Sequence, residues 1–192
     1  MLRVSPETAL IIVDVQNDFC PGGSLAVPEG DQVVGVLNRY ISRIDGGGGV
    51  VGATRDWHPP GHISFKEQGG PWPPHCVQNT RGAEIYSELA LPPGAWLISK
   101  GSKRDADAYS GFDGTDLEVR LRRRGIRTLW VGGLATDYCV RATVLDAVRS
   151  GFKTVFLEDA SRGVEVRPGD TARAVDDMRA AGADIGRLED IE

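Results

Sequence analysis

The stretch TLWVGGLATDYCVRATVLDAVRSG, Thr128 to Gly151, changes character halfway along. It opens as a short apolar run of strand length and closes with Val140, Val144, Ala147 and Val148 at helical spacing. Between the two, GLATD reads as a tight turn, with Thr136 or Asp137 as the N-cap of the helix. Strand, turn and helix in this order are the repeating unit of a parallel sheet, because parallel neighbours require a crossover connection.

The same alternation recurs outward from this stretch. Apolar, β-branched runs stand at 9–15 (ALIIVDV), 50–56 (VVGATRD), 95–100 (AWLISK), 128–133 and 153–159 (KTVFLED), with a weaker one at 183–188. Helical patterns lie between them. Val33, Val34, Val36, Leu37, Ile41 and Ile44 precede the glycines 46–49, and Leu117, Val119 and Leu121 lead into the basic RRRG. Segments 139–150 and 170–181 supply two more. Strands this continuous in Val, Ile and Leu are buried on both faces. The expectation is a three-layer α/β domain around a parallel sheet, one domain over residues 1–192, with long polar loops at 57–82 and 101–116 that point to function.

Composition narrows the possible partners. The 192 residues are 41% hydrophobic and 26% charged, with a formal net charge of -5, which offers no electrostatic attraction to nucleic acid or to an anionic membrane surface. No run of about 18 apolar residues marks a membrane span, and Met1 leads almost directly into ALIIVDV, so the expected address is the cytoplasm. Three cysteines, Cys20, Cys76 and Cys139, cannot all pair within the chain and show no CxxC spacing. A single thiol therefore becomes a candidate for chemistry.

Open α/β sheets bind ligands beyond the carboxyl ends of their strands. Four such ends carry capable side chains: Asp14, Asp56, Lys100 and, past GLATD, Cys139. In the first turn of its helix Cys139 would meet free amides that favour a thiolate; the alternative is a small buried hydrophobe. Asp14 and Lys100 emerge from buried strands, as a general base and a charge partner for a thiol would, or as a structural ion pair. Asp159, at the end of the fifth run, reads equally well as a cap.

All three histidines of the chain fall in one region, His58 and His62 in RDWHPPGHISF and His75 in WPPHC. In extended chain Asp56 and His58 face one side, Pro59 favours that geometry, and the PPG turn allows His62 to fold back. With His75 they make three nitrogens and one oxygen, a shell suited to a divalent transition metal. A closed, purely structural site is the competing arrangement, with Cys76 in place of Asp56.

Taken together, ALIIVDVQNDFCPGGSLAV, TRDWHPPGHISF, WPPHCV, SKG, DAYSGF and VGGLATDYCVRATVLDAV resemble the isochorismatase-like cysteine hydrolases and, within them, the nicotinamidases (pyrazinamidases). The resemblance runs in order from Ala9 to about Asp159. It implies a six-stranded parallel sheet in an α/β/α sandwich and a catalytic set of Asp14, Lys100 and Cys139. It also implies an oxyanion hole at the amides of Ala135 and Cys139, a cis peptide between Leu134 and Ala135, and metal ligands Asp56, His58, His62 and His75. The implied metal is zinc, with iron or manganese as alternatives. Phe19, Trp72, Leu134 and Tyr138 are implied around the substrate. The expected reaction is hydrolysis of nicotinamide, and of pyrazinamide, to the acid and ammonia through a thioester. That reaction belongs to NAD salvage, in a monomer or small homo-oligomer. Another amidase of the superfamily, acting on N-carbamoyl or ureido compounds, is the alternative.

Overall fold

In the computed structural model, residues 2–192 are described, and they form six strands and four α-helices. The strands are β1 (Thr8–Val13), β2 (Val50–Asp56), β3 (Trp96–Lys100), β4 (Thr128–Leu134), β5 (Lys153–Arg162) and β6 (Asp184–Gly186). The helices are α1 (Gln32–Gly46), α2 (Leu117–Arg123), α3 (Arg141–Arg149) and α4 (Asp170–Ala181). The strands pair in parallel in the order β3-β2-β1-β4-β5-β6.

β1 shows why a nearly continuous apolar run makes a central strand. Its successive side chains point to opposite faces, so Leu10 and Ile12 enter the core beneath α1, while Ala9, Ile11 and Val13 enter the core beneath α2, α3 and α4. Full burial of each Leu or Ile contributes about 2 kcal/mol, which no one-sided strand of this composition would obtain from both its faces.

α1 buries Val33, Val34, Leu37, Tyr40, Ile41 and Ile44 along one stripe and stops at the glycines, where Gly48 takes a left-handed φ of 75°. In α2 only Leu117 and Leu121 are buried. Val119, between them in the sequence, is 49% exposed. Two residues past Leu117 on a helix is the far side, and four residues is the same side. No helix among the described residues is long and apolar enough to cross a membrane.

The strand order places the site. The chain builds outward from β1 through β2 to β3, then returns to lay β4 against the other side of β1. Connections leave the carboxyl ends of β1 and β4 in opposite directions, and a crevice opens between them. Asp14 lies at one lip and the turn to Cys139 at the other.

Candidate functional site

Asp14 follows β1 with a φ of 49°, a left-handed conformation that a side chain ordinarily avoids. It is held there from both sides: its amide donates to Thr54 O at 3.2 Å, and its carbonyl accepts from Gln16 N at 2.8 Å. The Thr54 hydroxyl donates to Asp14 Oδ1 at 2.7 Å. Asp14 Oδ2 lies 2.8 Å from Lys100 Nζ but accepts no well-aligned hydrogen bond. One carboxylate oxygen is thus hydrogen-bonded, and the other has no aligned donor.

Lys100 ends β3, directly opposite Asp56 in the β2–β3 register. Its buried ammonium is the meeting point of the site: 2.8 Å from Asp14 Oδ2, 2.5 Å from Asp56 Oδ1, 3.4 Å from Cys139 Sγ, and donating to Ala108 O at 3.2 Å. Burial works against its charge, but Asp14, Asp56 and Cys139 outweigh burial and hold Lys100 well above its ordinary pKa. The two carboxylates beside it therefore favour the ammonium form.

The turn carrying Cys139 departs from the expected N-cap. Residues Thr136–Val140 form a π-helical turn before α3, and neither Thr136 nor Asp137 caps it through a side chain. Asp137 instead accepts from the amides of Val164 and Glu165, at 2.9 Å each, and so ties this turn to the loop after β5. The Ala135 carbonyl accepts from Tyr138 N and Val140 N, both at 3.1 Å, so the amide of Cys139 between them is not among its donors. The Leu134–Ala135 peptide is cis.

The Cys139 thiol is buried at the base of the cleft, 3.4 Å from Lys100 Nζ. Burial pushes its pKa well above the ordinary range, Lys100 opposes the rise, and Asp14 and Asp56 add to it. Burial and the two carboxylates thus oppose the thiolate that a helix start and Lys100 favour. Asp14 is likewise raised by burial, against the pull of Lys100.

Beside this set lies a second one. Donor atoms of Asp56, His58 and His75, all buried, lie within 4.8 Å of one another and could hold a metal ion. A backbone bridge makes this possible: His58 N donates to Cys76 O at 3.0 Å and His58 O accepts from Gln78 N at 2.8 Å, which brings the segment after His75 alongside. The imidazoles are oriented by backbone carbonyls, His58 Nδ1 at 2.9 Å from Gly101 O and His75 Nδ1 at 2.8 Å from Pro73 O. A proton on each Nδ1 leaves Nε2 with its lone pair facing Asp56 Oδ2, at 3.5 and 3.9 Å. Oxygen and nitrogen donors, both rings fixed by outer hydrogen bonds, fit a divalent transition metal. Asp56 is held well below the usual carboxylate range, since Lys100 and His58 outweigh the effect of burial. Cys76 is oriented by its own amide, which donates to Asp18 Oδ2 at 2.7 Å, and its thiol is not among these donors.

His62 stands outside that group. Its ring stacks on His58 at 4.1 Å between centroids, its Nδ1 lies 2.7 Å from Ser64 Oγ, and its Nε2 lies 3.2 Å from Ala106 O.

The two sets share one cleft of about 370 Å3, counting its open mouth, whose lining includes Asp56, His75, Ala135 and Cys139. Its walls are aromatic. Phe19 lies against His75, with ring centroids 5.6 Å apart, and Trp72 meets Tyr138 edge-on at 5.0 Å. Trp72 Nε1 donates to the Tyr109 hydroxyl at 3.0 Å. Leu134 is not part of the wall: it is fully buried in the core on the α1 side, because it is the last residue of β4 and still takes a strand orientation. Asp159 belongs elsewhere, accepting from the Tyr40 hydroxyl at 2.9 Å and capping the 188–190 turn at Leu188 N, 3.0 Å.

Three residues that reasoning on the sequence passed over are prominent here. Tyr109, Thr54 and Gln16 each make a buried or half-buried polar contact to a site residue. Thr54 carried a usable signal, as the one hydroxyl of β2, two residues before Asp56.

Comparison with known proteins agrees with this geometry. The isochorismatase domain model matches residues 8–190. The chain is 44% identical to the nicotinamidase of Escherichia coli (strain K12), over 97% of this chain and 98% of that one. The fold superposes with a TM-score of 0.91 on the pyrazinamidase of Pyrococcus horikoshii in complex with zinc, at 51% identity over 95% of this chain and 100% of that one. A further structure, of an L. infantum protein in complex with nicotinate, superposes with a TM-score of 0.90 at 35% identity, over 100% of this chain and 98% of that one. With nearly its whole length matched by the family model and by these relatives, the chain belongs to the isochorismatase family.

Proposed function

We propose that this protein is a nicotinamidase, a cysteine amidohydrolase that converts nicotinamide to nicotinic acid and ammonia and accepts pyrazinamide as well. The observation that carries the reading is the convergence on Lys100, which joins Asp14 and Cys139 to the donor set of Asp56 within one cleft.

Asp56, His58 and His75 would hold a divalent metal, and His62, stacked on His58, would serve as the fourth ligand. A divalent ion there, zinc in the first instance, supplies a Lewis acid for a ring nitrogen. Phe19 and Trp72 confine a flat heteroaromatic ring, and Tyr138 and Tyr109 back the Trp72 side. The carboxamide then faces Cys139.

Asp14 Oδ2, unoccupied by an aligned hydrogen bond, takes the thiol proton as Cys139 Sγ attacks the carbonyl carbon. The sulfur–carbon bond forms, and the carbonyl oxygen becomes an oxyanion received by the amides of Ala135 and Cys139. Asp14 returns its proton to the amide nitrogen, the carbon–nitrogen bond breaks, and ammonia leaves a thioester. Water then attacks the thioester, giving its proton to Asp14. Collapse releases nicotinic acid, and the proton passes back to Cys139. Lys100 stays an ammonium throughout, steadying whichever of Asp14 or the sulfur is anionic.

The test is ammonia release from nicotinamide, benzamide and an N-carbamoyl amino acid, with zinc, iron and manganese content measured on the same sample. Turnover of nicotinamide far above the other two is expected. Preference for the N-carbamoyl compound would reassign the substrate class, and equal turnover of benzamide would remove the ring nitrogen from recognition.

A further inference from the structure

Gln16 is fully buried, polar and outside the reacting groups. Its carboxamide makes three short hydrogen bonds. Oε1 accepts from Asp56 N at 2.8 Å, and Nε2 donates to Asp56 O at 2.8 Å and to Ala83 O at 2.9 Å. The first two reproduce the paired bonds that a neighbouring strand would give Asp56. They are needed because the β1–β2 register ends at Ile12 and Ala53, before Asp56 is reached. The third bond fixes the 81–83 turn, downstream of His75, and the Gln16 backbone pairs with Ile85 in the same segment. The donor set comes from two stretches of chain, Asp56 with His58 and, separately, His75. Gln16 is bonded to the first stretch and to the continuation of the second.

We infer that Gln16 is a positioning residue for the metal donor set: its side-chain amide replaces the missing strand partner of Asp56 and locks that carboxylate in register with the loop that carries His75. The inference rests on the reading of Asp56, His58 and His75 as metal ligands. Without the amide, the Asp56 peptide has no partner and its carboxylate loses its fixed aim, as happens when the outer partners of metal ligands are removed.

The experiment measures zinc affinity by competition with a chromophoric chelator in wild type, Gln16→Met, Gln16→Glu and the control Thr154→Val. Thr154 is a buried hydroxyl on β5 that donates to Phe152 O, remote from the donor set. Gln16→Met keeps much of the volume and removes all three bonds. Gln16→Glu keeps the acceptor for Asp56 N and loses both donors. Both Gln16 variants should bind zinc about 10- to 100-fold more weakly, while Thr154→Val lowers the melting temperature and leaves zinc affinity unchanged. Folded Gln16 variants with wild-type zinc affinity would overturn the inference and leave Gln16 a structural residue. If neither variant folds, the Gln16 side-chain amide signals of the wild-type protein decide: they should move during titration with one equivalent of zinc, and stationary signals would overturn it. A wild-type protein that takes up no divalent metal would instead defeat the underlying metal reading, and this inference with it.

Discussion

Lys100 Nζ lies 2.5 Å from Asp56 Oδ1, closer than the 2.8 Å that separates it from Asp14 Oδ2. A lysine expected to partner Asp14 and the thiol therefore also couples them to the metal donor set. One buried cation faces two buried carboxylates, so with both ionised the site retains a negative charge that favours a divalent ion.

Replacing Lys100 with methionine separates the two roles. Nucleophile formation loses its charge partner, so kcat should fall by about 100-fold or more. The zinc-free protein should lose roughly 3–5 kcal/mol of stability, because two carboxylates are left buried without a counter-charge. Zinc affinity should hold or rise, since the competing cation is gone. Steady-state kinetics, thermal melts and chelator competition read the three effects, and near-normal turnover would reduce Lys100 to a structural ion pair.

The raised pKa of Cys139 has a definite sign in an alkylation assay. Below its pKa the thiolate fraction grows about tenfold per pH unit, so labelling by iodoacetamide should climb from about pH 7 to about pH 9 without levelling. Cys139 should still outpace Cys20 and Cys76, whose side chains are fully buried away from the cleft, because it alone of the three lines the cavity. A plateau near neutral pH would mean that the thiolate is already formed at rest. Cys139→Ala should keep zinc and lose nearly all turnover.

His62 is the donor whose place the other three do not dictate. If it serves as the fourth ligand, His62→Ala should weaken zinc binding by about 10-fold or more. His58→Ala should cost at least as much, since it removes a member of the buried three-residue group. Zinc affinity untouched by His62→Ala would leave a three-residue site in which His62 only stacks on His58.

Tyr109 holds Trp72 by a single hydrogen bond of 3.0 Å. Tyr109→Phe removes the acceptor and keeps the ring, at a net loss of about 1 kcal/mol in Trp72 placement. KM for nicotinamide should rise roughly fivefold with little change in kcat, because the reacting atoms are untouched. A fall in kcat at constant KM would place the tyrosine in the chemical step instead.

How much of this was legible beforehand follows from which interactions are local. Strand and helix limits at 50–56 and 170–181 match the sequence pattern residue for residue, because alternation, helical spacing and terminal glycines are properties of short stretches. The same holds for Asp14, Asp56 and Lys100, whose positions just past or at the ends of apolar runs already mark them as facing a crevice.

What tertiary structure alone decided was pairing. No local pattern states that β4 returns to lie beside β1, yet that neighbour relation is what brings Cys139 to Asp14. Nor does any spacing show that Lys100 sits opposite Asp56 in the β2–β3 register, that Gln16 bonds the Asp56 peptide forty residues away, or that His62 turns to Ala106. The environment of Cys139 is of the same kind: a helix start favours a thiolate, and burial beside two carboxylates opposes it. The sequence determined which groups reach the carboxyl ends of the strands, because secondary structure is written in nearest neighbours. Their distances, partners and protonation were settled only when strands remote in sequence packed together, because desolvation and charge depend on everything within a few ångströms, whatever its position along the chain.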